Sequence, residues 1–294
     1  MMNLILSIVW VGNIMNISQL TSDLDSDGFV RIPSFVDTNY CLSILSSIRD
    51  SISSKASPFF RDLDDNIPGS FYSDIWSSHF VSDFYSGYVP SHLPSLMSTL
   101  MCRQSVLLLQ DTWFQRSSLC TTSIPWHHDQ SIEGPFYSIW ISLSDIPASA
   151  SLRFVRGSHK SGLRYLPSAF FSDSSKNSQL GAMEEFYRSF HYSDSLDYIQ
   201  HFSPVPNDIE TNSEYDIQSV STSAGDAIVF NGLTLHSLPP SSNVDSTGFV
   251  LRWISDDSVV SPYSNDAKIA SELLNINLIP EQPIRDPFFK RFDF

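Results

Sequence analysis

Two residues whose side chains can bind a metal are separated by a single residue in the segment 124–131. His127 and Asp129 form an H-x-D pair. On an extended chain, residues i and i+2 point to the same face, so this imidazole and this carboxylate could bind one cation. Histidine and aspartate are frequent enough in the sequence for such a pair to arise by chance. The pair therefore becomes informative only if a third ligand exists.

A candidate third ligand follows a later apolar segment. Residues 225–237 have the pattern of a tight turn, an apolar strand and then His236. If both segments belong to one barrel, His127, Asp129 and His236 can converge on a metal. Two imidazoles and one carboxylate leave coordination positions open, as at non-haem Fe(II) centres. Catalytic zinc also uses this ligand set, but the sequence contains no HExxH helix.

Short strands and amphipathic helices must position these residues. Strands are predicted at 29–33, 105–114, 136–144, 151–155, 227–230 and 248–254, and helices at 38–55, 179–190 and 266–274. The run 23–28 predicts a turn before the first strand, because a calcium loop would need a glutamate at its twelfth position. This order predicts a mainly β fold with flanking helices, built as a double-sheet barrel or jelly roll.

Several motifs, in this order along the chain, resemble the phytanoyl-CoA dioxygenase family. They are DGFVRIPSFV at 27–36, the H-x-D pair, LRFVRGSHK at 152–160, the segment from Gly225 to His236, and LRWISDD at 251–257. The resemblance extends from about residue 20 to 260. It implies a double-stranded β-helix core of the jelly-roll or cupin type, in one dioxygenase-like domain over 19–294, with an iron triad of His127, Asp129 and His236. It also implies Fe(II), 2-oxoglutarate and dioxygen, with Gln110 at a position that often contacts 2-oxoglutarate.

The sequence departs from the family at the arginine that grips the far carboxylate of 2-oxoglutarate. Relatives carry it ten or eleven residues after the second histidine, where this chain has Ser246 and Thr247. Arg252 lies in the same predicted strand and on the same face as Ser246, so we expect Arg252 to take this role. Alternatively, Arg252 only braces the barrel, and the cosubstrate site is weakened or rebuilt elsewhere, for example with Arg116.

Positive side chains are concentrated near the LRFVRGSHK motif of an otherwise acidic chain. Arg153, Arg156, Lys160 and Arg164 belong either to a solvated loop with ion pairs or to an electropositive mouth for a carboxylated substrate. On the second interpretation, Arg153, Arg156 and His159 are the candidate substrate residues. His159 could instead orient the loop. His128, between the metal ligands, is expected to pack away from the metal.

These features together predict oxidation of a small carboxylated metabolite, such as an amino-acid-derived compound, coupled to formation of succinate and CO2. Hydroxylation, desaturation and oxidative cyclisation are all compatible with the ligand residues. Asp129 argues against halogenation, because halogenating relatives lack this carboxylate. Two alternatives stay open: a non-catalytic barrel that binds a small molecule, and a metal-dependent enzyme that does not use 2-oxoglutarate.

Composition excludes several partner classes. The 17 Lys and Arg residues face 32 Asp and Glu, a net charge of −15, and they form no basic run, so nucleic acid and anionic membranes are not expected partners. Three cysteines without CxxC spacing indicate neither a disulfide framework nor a zinc site. Residues 1–18 form an N-terminal segment of uncertain role, without the basic start of a signal peptide. We expect a cytoplasmic monomer or weak homodimer.

Overall fold

The computed structural model describes residues 7–10, 13–64, 66–129, 132–166, 202–241, 243–261, 271 and 273–294. The helix predicted at 179–190 lies outside these residues, as does most of the helix predicted at 266–274. Helices in the described part are α1 (Ile17–Asp27), α2 (Thr38–Ser54), α3 (Ser77–Phe80) and α4 (Leu93–Met101). None of the described helices is long and apolar enough to span a membrane.

The first helix overturns one sequence prediction. The run 23–28 was predicted as a turn, but its acidic residues form the last part of α1, and only Gly28 leaves the helix, with a φ of 86°. The prediction was wrong because Leu20 and Leu24, one helical turn apart, bury the same face of α1 in the core. Gly28 ends the helix because glycine adopts the left-handed conformation without steric cost.

Eighteen strands occur in the described residues. In chain order they are β1 (Ser7–Trp10), β2 (Asn13–Asn16), β3 (Phe29–Ile32), β4 (Arg61–Asp62), β5 (Phe71–Ile75), β6 (Ser105–Arg116), β7 (Ile124–His127), β8 (Ile132–Glu133), β9 (Phe136–Ser142), β10 (Arg153–Val155), β11 (Tyr165–Leu166), β12 (Ser203–Pro204), β13 (Ile217–Ser219), β14 (Ala227–Asn231), β15 (His236–Leu238), β16 (Ser246–Ser255), β17 (Val259–Val260) and β18 (Lys290–Asp293). All six strands predicted from the pattern are present, with ends shifted by a few residues.

Two antiparallel sheets form the core. The larger sheet has the order β3-β14-β9-β16-β6-β5-β4, with β18 also paired to β6, and the smaller has the order β13-β10-β15-β7. Three two-stranded ribbons, β1-β2, β11-β12 and β8-β17, lie outside them. The predicted jelly-roll type of fold is confirmed.

The space between the sheets is an apolar interior that continues up to the predicted ligands. From the larger sheet, Trp140 and Val250 pack there with Ile124 and Leu238 of the smaller sheet. Side chains alternate along a strand, so this places Ser246, Gly248, Val250 and Arg252 of β16 on the inner face. Their register partners on β6 are Arg116, Phe114, Thr112 and Gln110. The inner face of β6 and β16 therefore carries most of the residues singled out from the sequence.

The opposite face of the larger sheet is covered by helices. Phe249, Leu251 and Trp253 of β16 join a second apolar cluster with buried residues of α1, α2 and α4. Gly248 is needed on the inner face, because a Cβ at this position would overlap the ring of Trp140. The helical layer and the filled interior fix β16 between its neighbours β9 and β6.

Candidate metal centre

The two predicted histidine ligands face each other across adjacent strands of the smaller sheet. His127 ends β7, His236 begins β15, and the two are register partners. Their ring centroids are 4.3 Å apart. Asp129 lies two residues after His127, and one ligand atom of each of the three residues lies within 4.8 Å of the others. Two segments more than a hundred residues apart in sequence thus meet as one possible ligand set.

Backbone carbonyl groups orient both imidazole rings. Nδ1 of His127 lies 2.7 Å from the oxygen of Pro125, and Nδ1 of His236 lies 2.8 Å from the oxygen of Thr234. A carbonyl oxygen can only accept, so Nδ1 carries the proton in each ring. The lone pair is therefore on Nε2, which is free to bind a metal.

Three contacts hold Asp129. Its backbone N–H donates to the oxygen of Gly232 at 2.8 Å, which ties the end of the H-x-D segment to the loop before His236. The hydroxyl of Ser138 donates to Oδ2 at 3.1 Å. Nε of Arg252 lies 3.5 Å from the same oxygen. Ser138 was not identified from the sequence, although alternation along the strand predicted at 136–144 places it on the face opposite Tyr137 and Ile139.

The protonation states suit a divalent cation. Burial, together with the neighbouring His127, lowers the pKa of His236 to about 3, and burial also lowers the pKa of His127. Burial alone would raise the pKa of Asp129, but Arg252 and the two histidines reverse this and lower it to about 2. At neutral pH the site therefore offers two neutral imidazoles and one carboxylate, which need lose no proton to bind iron.

Gln110 and Arg252 were the two residues predicted to contact 2-oxoglutarate. They are register partners on β6 and β16, and both bind the hydroxyl of Thr112, at 2.9 Å and 3.1 Å. The structure thus places Arg252 beside the candidate ligand Asp129, and Gln110 opposite Arg252, on the inner face. Arg252 also forms the ion pair with Asp129, as the bracing alternative requires. Its predicted role toward 2-oxoglutarate stays a prediction.

The structure does not bring the predicted substrate residues to the candidate metal ligands. On β10, Phe154 faces the interior and its ring lies 6.2 Å from that of His236, so Arg153 points to the outer face. There Arg153 lies over the ring of Trp126 and pairs with Glu210. The sequence could not show this, because the side of the sheet on which an arginine lies depends on the register.

The other positive side chains of this region also pair with acids of the same chain. Arg156 lies between Asp27 and Asp216, Lys160 pairs with Asp25, and Arg164 pairs with Glu133. His159 Nε2 lies 3.0 Å from the backbone oxygen of Asp25. These contacts are those of a loop with ion pairs that packs on the end of α1. They do not support the alternative of an electropositive mouth for a carboxylated substrate.

His128 has the packing role expected of it. Its Nδ1 lies 3.0 Å from the backbone oxygen of Asp129, and its Nε2 accepts the backbone N–H of Tyr165. The residue is 1% exposed, and burial lowers its pKa to about 4. Both ring nitrogens are occupied, so His128 does not compete for the metal.

Comparisons with known proteins agree with this geometry. A model of the family described as phytanoyl-CoA dioxygenase (PhyH) matches residues 24–243. No curated protein sequence matches the chain. The fold is shared with solved structures at low sequence identity, among them the epimerase SnoN in complex with Fe3+, alpha ketoglutarate and nogalamycin RO. That structure has a TM-score of 0.65 and 15% identity, with 94% of this chain and 98% of that chain covered.

Two further structures have the same fold. The alpha ketoglutarate dependent carbocyclase SnoK from nogalamycin biosynthesis has a TM-score of 0.64 at 12% identity, covering 93% of this chain and 95% of its own. EctD from S. alaskensis, with 2-oxoglutarate and 5-hydroxyectoine, has a TM-score of 0.56 at 10% identity, covering 81% and 76%. The jelly-roll core and the His-Asp-His set define a non-haem iron, 2-oxoglutarate-dependent enzyme. The chain belongs to the phytanoyl-CoA dioxygenase family.

Proposed function

We propose that the protein oxidises a small metabolite of a specialised biosynthetic pathway, by hydroxylation, desaturation or oxidative ring closure. The convergence of His127, Asp129 and His236 carries this proposal, because a barrel that no longer bound a metal would not need to keep three possible ligand atoms within 4.8 Å of one another. Support for the pathway type comes from relatives of the same fold, SnoN and SnoK, whose structures are described with nogalamycin biosynthesis. That the substrate carries a carboxylate remains a prediction, because Arg153 and Arg156 pair with acidic residues of the same chain.

The residues of the site would divide the work as follows. His127 and His236 would hold iron through Nε2, and Asp129 would hold it through a carboxylate oxygen that Ser138 and Arg252 keep in place. Iron with 2-oxoglutarate supplies the oxidising chemistry when bound. The apolar rings of Phe154 and Phe230, which lie beside that of His236, would keep water away from the reacting groups.

The test is anaerobic absorption of the purified protein with Fe(II), before and after addition of 2-oxoglutarate. We expect a visible charge-transfer band in the wild type and its loss in His236→Ala. His79→Ala is the matched control, since His79 is exposed and stacks on Phe288 far along the chain from the ligands. Succinate formation in air, screened with candidate metabolites, then identifies the substrate.

Three outcomes would contradict the proposal. Iron binding without a band would favour a metal-dependent enzyme that does not use 2-oxoglutarate. Failure of the wild type to bind iron would favour a non-catalytic barrel. A band that survives in His236→Ala would show that the chelate forms at another site.

A further inference from the structure

Arg116 occupies an unusual position opposite the residue that replaces the family arginine. Ser246 stands at this position on the inner face of β16, and its register partner on β6 is Arg116. Nε of Arg116 donates to the hydroxyl of Ser246 at 3.2 Å. An arginine side chain is thus present beside the expected location, but it comes from the neighbouring strand.

The Arg116 guanidinium is buried without a counter-ion. The residue is 2% exposed, and its three acceptors are neutral: the Ser246 hydroxyl and the backbone oxygens of Pro239 and Ala150. No carboxylate of the described residues forms an ion pair with it. Burying an unpaired charge is costly, and buried charges in proteins are usually paired. In keeping with this, burial lowers the pKa of Arg116 to about 10.

Unused donors remain around this guanidinium. It has five N–H groups, of which the three contacts use three, and each terminal nitrogen keeps a second one. Two hydroxyls on the chain segments that supply its backbone acceptors are buried and have no hydrogen-bond partner among the described residues. They belong to Ser151, which follows Ala150, and to Ser241, which lies two residues after Pro239. Such orphaned polar groups are rare in native interiors and indicate an absent polar partner.

The spacing from the metal ligands suits a short dicarboxylate. Pro239, whose oxygen accepts from Arg116, lies three residues after His236, hence at most about 10 Å along the extended chain. A five-carbon diacid spans about 5 Å between its end carbons, given C–C bonds of about 1.5 Å. With a metal bond of about 2 Å at one end and a charge-assisted hydrogen bond of about 2.8 Å at the other, the bound diacid would bridge about 10 Å. This length is close to the upper limit of the chain distance from His236 to Pro239.

Arg252 is already engaged elsewhere. It pairs with Asp129 and binds Thr112, at the end of the inner face where the metal ligands lie. The interior residues Val250 and Gly248 separate it along β16 from Ser246. Two arginines thus lie on the inner face, one beside the metal carboxylate and one without an acid.

We propose that Arg116, and not Arg252, binds the far carboxylate of 2-oxoglutarate, with the hydroxyls of Ser151, Ser241 and Ser246 as candidate additional donors. The role of the family arginine has thus moved from β16 to its neighbour β6, and Ser246 leaves the space that the transferred guanidinium needs. This proposal rests on the proposed function, since it names a residue for the same cosubstrate.

The test compares two keto acids that differ only at the far end. Dissociation constants of 2-oxoglutarate and of 2-oxovalerate, which has a methyl group in place of the far carboxylate, are measured anaerobically from the charge-transfer band with Fe(II). We expect the wild type to prefer 2-oxoglutarate by about 100-fold or more, the value of two charge-assisted hydrogen bonds. Arg116→Gln should lose this preference and bind 2-oxovalerate as the wild type does.

Two further variants complete the design. Arg103→Gln removes the same charge at a surface position paired with Asp257, and should keep the preference. The double exchange Arg116→Ser with Ser246→Arg returns the arginine to β16, and should restore the preference at least in part. The exchange also keeps the proposal testable if Arg116→Gln fails to fold.

The outcomes separate this proposal from the proposed function. If the wild type forms the band with 2-oxoglutarate but Arg116→Gln keeps the preference, or weakens both keto acids equally, Arg116 is only structural and the proposal is overturned. A folded double exchange without any preference overturns it as well. A wild type that forms no band with 2-oxoglutarate overturns the proposed function itself.

Discussion

Arg252 of β16 and Asp129, which follows β7, form a largely buried ion pair, with 3.5 Å between Nε and Oδ2, although they lie more than 120 residues apart in sequence. The same carboxylate is a metal ligand of the proposed site. Arg252 therefore balances the charge of Asp129 before a metal is bound, and a divalent cation would take over part of that task. This relationship makes several properties of the site measurable.

Removal of Arg252 should lower the free energy of unfolding of the metal-free protein more than that of the metal-loaded protein. Arg252→Gln leaves Asp129 buried without its cation, and breaking such a pair costs about 3 kcal/mol. Bound Fe(II) compensates the carboxylate in both proteins. We therefore expect the gain in the free energy of unfolding on adding Fe(II) to be larger in Arg252→Gln than in the wild type, as measured anaerobically by urea denaturation. An equal or smaller gain would show that Arg252 does not neutralise Asp129.

Metal binding should stabilise the fold through the three ligands. A ligand that binds only the native state adds about 2.7 kcal/mol when its free concentration is about 100 times Kd. We expect Fe(II) to raise the melting temperature of the wild type anaerobically, and a chelator to reverse this rise. His236→Ala should show no such rise, whereas the control His79→Ala should behave as the wild type. A rise that persists in His236→Ala would place the bound metal elsewhere.

Acid should destabilise the metal-free protein through its buried histidines. Burial lowers the pKa of His128 to about 4 from the ordinary value of 6.5, so below pH 6.5 the unfolded chain binds a proton that the native protein excludes. The contribution of this histidine to the free energy of unfolding is therefore complete above pH 6.5. It is lost as the pH decreases toward 4, by about 1.4 kcal/mol per pH unit.

The measurement is urea unfolding at several pH values in the presence of a chelator. His128→Gln removes the proton that this residue takes up on unfolding. The slope of the free energy of unfolding against pH, between about pH 4 and 6.5, should therefore become less steep by about 1.4 kcal/mol per pH unit. An unchanged slope would mean that His128 is protonated equally in the native and unfolded states.

The contact between Gly248 and Trp140 should make the interior intolerant of a small addition. In Gly248→Ala, the new methyl group would overlap the ring of Trp140, which is buried and stacked on Phe114. We expect a loss of about 1–3 kcal/mol in the free energy of unfolding, as for other overpacked cores. Gly87→Ala is the matched control, because the half-exposed ring of Tyr85 beside it can move away. Equal losses in both variants would indicate a backbone effect instead.

The H-x-D pair and most strands could be predicted from the sequence, because both depend on local spacing, whereas the meeting of this pair with His236 depends on the pairing of β7 with β15. An H-x-D pair on an extended segment points to one face, and alternation of apolar residues marks β9 and β16 without knowledge of their neighbours. A run of acidic residues before a glycine fits both a turn and the end of a helix, so the sequence predicts a turn at 23–28 where the structure has the end of α1. Only the packing of Leu20 and Leu24 distinguishes the two.

The neighbours of the arginine side chains depend on the tertiary structure. Whether Arg252 meets Asp129, and whether Arg153 faces the metal or Trp126, depends on strand register, since a shift of one residue reverses every side chain. Arg116 and Ser246 become neighbours only because β6 pairs with β16 across 130 residues. The sequence by itself indicated the family and the three candidate metal ligands, whereas the long-range pairing of strands determined which charge lies beside which group.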